Sequence, residues 1–185
     1  MLQWLREKLR LSRSDSTPEN YPSVVILLRE PQIRTSNESL NLVRRALGAG
    51  IDVELIGVLD NGNAHIIRNG KFFFTFHQAS QRYEVPGYEP IGLVRKAWDE
   101  NKAWVAFDMP TQSSAKLREI DSLGTAYRLL LVFTFLCWSP NCLGVYFPAE
   151  RVSVPNLGDL ADSINWARRN GQNLDFLNTP KNELK

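Results

Sequence analysis

Two closely spaced turn signals constrain this chain most. Asp60-Asn61-Gly62-Asn63 and Asn69-Gly70 place residues that tolerate positive φ between short apolar runs. The runs, residues 51–59, 64–68 and 71–77, read as a three-stranded antiparallel meander. In the last run Phe72, Phe74 and Phe76 alternate onto one face, and Phe73, Thr75 and His77 onto the other. Such a chain is committed to a sheet, and its other elements must pack on that sheet.

The remaining elements follow from period and punctuation. Val24 to Leu28 is an unbroken apolar run, as expected of a strand buried on both faces. Thr35 or Ser36 then caps a helix whose apolar face is Leu40, Val43, Ala46 and Leu47, with Glu38 in its first turn. Residues 91–101 read as a short helix and residues 103–107 as a strand. Helical spacing resumes from Ser113 or Ser114 to Trp138 and is apolar nearly all round from Leu129, so this region is expected to be the central core helix. A strand over 142–147 and a helix over 157–169 complete the map. The expected fold is α+β and two-layered: a mixed sheet of about six strands with an antiparallel meander, and helices mainly on one face. Three strands end at proline after a short step (LLREP, AFDMP and VYFP), which fits either a degenerate β–α repeat or ordinary strand-end punctuation.

The domain map has three parts. Residues 1–22 form an amphipathic basic helix and a linker, 23–170 a single domain, and 171–185 a polar C-terminal tail. In the first part Leu2, Leu5 and Leu9 recur at helical spacing with Trp4 beside them, and Arg6, Glu7, Lys8 and Arg10 fill the rest. Residues 12–22 are polar and hold two prolines, as a linker would. The stripe Leu2, Trp4, Leu5 and Leu9 is a candidate interaction arm.

Composition excludes several classes. A chain of 185 residues can bury a core without disulfides or metals. Its 43% hydrophobic and 23% charged residues are ordinary for a globular protein, and exclude disorder of the whole chain. A net charge of +2 is too balanced to point to nucleic acid. No apolar stretch reaches the roughly 20 residues of a membrane span, and the N-terminus lacks the apolar centre of a signal peptide. Cys137 and Cys142 bracket four residues, which is neither a redox nor a zinc spacing, and they read as reduced buried thiols. The expectation is a soluble, cytoplasmic protein.

The segments VVILLREP, AWVAFDMP, YRLLLVFTFL and NCLGVYFP stand in this order along the chain. Together they resemble the uncharacterised bacterial family known as domain of unknown function 4261, over about residues 23–170. The most specific piece is CLGVYFP, residues 142–148. The resemblance implies a soluble bacterial α+β domain and supplies no catalytic residues. The N-terminal helix and linker lie outside it.

No motif for covalent catalysis or phosphate binding is present. His65 is expected to be exposed on the meander and His77 to sit at a strand end, so neither a metal nor a cofactor is expected. One polar constellation remains. Glu30 and Asp108 sit at matching ends of two strand-end motifs, one and two residues before a proline, with Arg29 beside the first. On parallel neighbouring strands they would share one sheet edge as a ligand site. The reading is therefore a non-enzymatic protein-interaction module of adaptor or immunity type, whose partner is another protein or a second copy. The alternative is a small-molecule-binding or hydrolase-like domain using Arg29, Glu30 and Asp108.

Overall fold

Strand β1 (Ser23–Leu28) is buried at all six positions and lies in the interior of the sheet. Val24, Ile26 and Leu28 enter one apolar cluster, and Val25 and Leu27 enter a second on the opposite face. This is why the strand is apolar without alternation. The computed structural model describes residues 22–177, apart from 49, 70–71 and 110–119.

In chain order the elements are β1, α1 (Ser36–Leu47), β2 (Glu54–Leu59), β3 (Ala64–Asn69), β4 (Phe72–Ala79), α2 (Gly92–Glu100), β5 (Ala103–Asp108), α3 (Ile120–Cys137), β6 (Cys142–Phe147), β7 (Val152–Pro155) and α4 (Leu160–Arg169). The sheet has seven strands in the order β2-β3-β4-β5-β1-β6-β7. The fold is α+β, with the meander over β2, β3 and β4. Two expectations are corrected. Every pairing is antiparallel, so the sheet is not mixed. The seventh strand is β7, only four residues long and ending in Pro155; a proline-bounded edge strand of this length carries little periodic signal.

Helices α1 and α3 pack on the first face. There Phe107 stacks on Phe133 of α3 at 4.3 Å, and Phe76 meets Phe133 edge-on at 6.1 Å. Helix α4 lies against β7, with Ala167 in the same core. Helix α2 is the exception and covers the β6–β7 half of the second face. Its Trp98 meets Tyr83, Tyr88 and Tyr146 there, and the buried Ser153 hydroxyl accepts from Trp98 Nε1 at 3.1 Å and Tyr88 Oη at 2.8 Å. Past α4, residues 174–177 pack on the core. Leu174 and Leu177 are buried, and the Phe176 ring packs on Tyr127 and Phe147.

Local chemistry sets the ends of the elements. Thr35 is the N-cap of α1 in a capping box, accepting from the Glu38 N–H while the Glu38 carboxylate accepts from the Thr35 N–H. The turn between β2 and β3 holds Asp60, Asn61 and Gly62 at positive φ.

Candidate functional site

The expected carboxylate pair does not form. Ser23 faces Asp108 across the β1–β5 ladder, and Leu28 faces Ala103. Asp108 thus lies at one end of β1, and Arg29 and Glu30 lie past the other, about 17 Å of strand away. The expectation assumed parallel neighbours; an antiparallel pair puts two matching strand-end motifs at opposite ends of the sheet. Each group has its own partner. Lys102 Nζ lies 2.7 Å from Glu30 Oε1, and Arg29 Nη1 lies 3.2 Å from Glu100 Oε2. Asn141 clamps the Glu30 backbone, accepting from its N–H at 2.8 Å and donating to its carbonyl at 2.9 Å. These are exposed contacts that fix a strand end.

Asp108 meets His77 instead, with Oδ2 3.5 Å from Nε2. Burial pushes its carboxyl up to about 7, into the range where imidazole titrates. The side chain keeps 21% of its surface exposed, so water reaches the pair. Glu150, in the turn between β6 and β7, is also pushed up to about 7 by burial. Its Oε2 is buried with no hydrogen-bond partner among the described residues, as is Arg34 Nη1.

His65 corrects a second expectation. It is 1% exposed, stacks on Phe76 at 5.8 Å, and pairs through Nδ1 with the buried Ser39 hydroxyl of α1 at 2.9 Å. Burial lowers its pKa. A Ser–His pair at this spacing could in principle move a proton, but substrate cannot reach one sealed between α1 and β3. The alternation of β3 held the signal, since His65 shares a face with the core residue Ile67. Ala64 and Ile66 made the other face look equally apolar.

The two cysteines are free and buried. Burial pushes the Cys137 thiol up to about 11 and the Cys142 thiol up to about 12, so neither is a thiolate nucleophile near neutrality. Among the described residues no three His, Cys, Asp or Glu side chains gather as metal ligands, and no helix is long and apolar enough to cross a membrane. An open depression beside the end of α4 is lined by Arg168, Gly171, Gln172, Asn173, Leu174 and Asp175.

The most unusual surface is apolar. Helix α3 covers the sheet with Leu130, Phe133 and Cys137, but its outer side is not enclosed. Phe135 is 65% exposed and Val132 37% exposed, with Leu131, Leu136 and Trp138 half-buried beside them. Trp138 donates to the Gly158 carbonyl at 2.9 Å, which brings the exposed Leu157 to the border of the strip. The all-round apolar sequence of this helix was legible; that part of it faces outward was not. The candidate arm of Leu2, Trp4, Leu5 and Leu9 lies outside the described residues.

No family model, no curated protein and no solved structure matches this chain.

Proposed function

We propose that the chain is a non-enzymatic protein-interaction module of adaptor or immunity type, and that it docks through the outer face of α3. One observation carries this reading. A helix apolar on all sides is ordinarily enclosed on all sides, yet Val132 and Phe135 point outward among half-buried apolar neighbours. The chemistry of the polar groups supports the same conclusion. Arg29, Glu30 and Asp108 do not converge, the Ser39–His65 pair is sealed, and the thiols are protonated. A cytoplasmic setting belongs to the reading too, since two unpaired thiols suit a reducing compartment.

The test is a photo-crosslinking residue placed at Phe135 in cells that make the protein, with Glu84 on the opposite side as control. The Glu84 side chain is 74% exposed. The expected result is a discrete adduct to another protein chain from position 135, absent from position 84 and abolished by Val132→Glu. Equal crosslinking from both positions would overturn the reading.

A further inference from the structure

Resting on that reading, we propose that the partner of the outer face of α3 is an acidic amphipathic helix of another protein. Its apolar side lies on Val132 and Phe135, and its carboxylates meet Arg34, Arg45 and Arg128. The cationic side chains of this molecule fall into two groups. Arg29, Arg68, Arg82, Arg95, Lys96 and Lys102 each reach a carboxylate of the same chain. Arg44, Arg151 and Arg169 donate to backbone carbonyls, and Arg168 is engaged as well. Among the described residues the cations left over are Arg34, Arg45 and Arg128, whose side chains have neither an ion pair nor a hydrogen bond.

All three border the same strip. Arg128 is exposed on α3 itself, on the helical face that carries Val132 and Phe135. Arg34 and Arg45 sit beside the last turn of α3: burial raises the Cys137 thiol, and the charges that act against the rise are those of these two arginines. Arg34 is fixed in place, since the buried Gln78 side chain accepts from its N–H at 2.8 Å and donates to its carbonyl at 2.7 Å. Its Nη1 is buried without an acceptor. Nearby acids do not neutralise this rim. Residues 126–141 contain no Asp or Glu. The Glu38 carboxylate is held below its usual range first by the Thr35 N–H and hydroxyl, and only then by Arg34. A buried guanidinium nitrogen without an acceptor costs free energy, and an incoming carboxylate recovers it through charge-assisted hydrogen bonds. Apolar anchors at helical spacing suit a helix laid along the strip, and the sign of the rim selects an acidic one. Three arginines fall short of the roughly four to eight basic residues of a lipid-binding cluster, which favours a protein over a membrane.

The experiment titrates the full chain into two fluorescent helical peptides and reads binding by anisotropy. The peptides share one leucine stripe at helical spacing; one carries glutamate at its polar positions and the other lysine. At low salt the glutamate peptide should bind at least about tenfold tighter, and the preference should shrink as salt screens it. Arg45→Glu with Arg128→Glu should reverse the order. Lys96→Glu on α2, at a side chain 71% exposed, should leave it unchanged. Equal affinities, or an order that the double variant does not alter, would overturn the acidic partner, as would failure of both peptides to bind. Tighter binding to phosphatidylserine vesicles than to the glutamate peptide would overturn it in favour of a membrane. The interaction reading is decided separately, because it stands or falls on adducts to another chain from position 135.

Discussion

At the scale of single residues, two buried titratable groups pull stability in opposite directions with pH. Burial holds His65 below its usual pKa, so the unfolded chain binds a proton before the folded one does. Its contribution is present above about pH 6.5 and is lost as pH falls through the lowered folded value. Urea unfolding midpoints should therefore fall more steeply between pH 7 and pH 5 in the native chain than in His65→Gln. Parallel slopes would refute this. Asp108 has the opposite sign. Its folded carboxyl keeps a proton up to about 7, whereas the unfolded one releases it near pH 4, so stability falls as pH rises across that window. Asp108→Asn should match the native chain near pH 4 and gain on it as pH rises. A gain of about 1 kcal/mol at pH 8 is expected, since His77 and partial exposure to water both moderate the penalty. Neither residue's setting was legible beforehand. His65 stood in a strand apolar on both faces, and Asp108 had been paired with a carboxylate that lies at the other end of β1.

At the scale of elements, local rules read well wherever the cause was local. Thr35 and Glu38 announced the start of α1, and both capping bonds are present. Thr35→Ala should cost about 1 kcal/mol in chemical denaturation. Turn residues announced the β2–β3 and β3–β4 hairpins in the same way. Strand β7 escaped because its neighbours, and not its own sequence, make it a strand. Gly144 of β6 shows the closeness of that pairing, since a Cβ there would lie 2.7 Å from the Val154 carbonyl oxygen. Gly144→Ala should lower stability by about 1–3 kcal/mol, as overpacking does; an unchanged unfolding midpoint would contradict so tight an approach. Helix α3 offers the sharpest contrast. Phe133 is fully buried and Phe135 is mostly exposed, two residues apart on the same helix. Phe133→Ala should cost about 3–5 kcal/mol, whereas Phe135→Glu should stay within about 0.5 kcal/mol. Equal losses would mean that the outer face of α3 is part of the core.

At the scale of the whole molecule, the meander was legible because its partners are adjacent in sequence. The placement of β1 between β5 and β6 was not, because no local signal states which distant strands a buried strand will join. That one ambiguity decided the fate of the expected site. Had β1 and β5 run in parallel, Arg29, Glu30 and Asp108 would have shared an edge; running antiparallel, they hold opposite ends of the sheet.

The same placement bears on how the protein is made. Of the described strands β1 leaves the ribosome first, yet its two neighbours come late: Val25 pairs with Ala106 on one side and Tyr146 on the other, the latter roughly 120 residues downstream. At about 5–20 residues per second, the segment SVVILL stays without either partner for on the order of ten seconds. It is β-branched, uncharged and free of proline, the kind of segment that pairs with other chains when left open. Nascent chains that stall before β6 should therefore aggregate or recruit a chaperone, while those released after β7 should not.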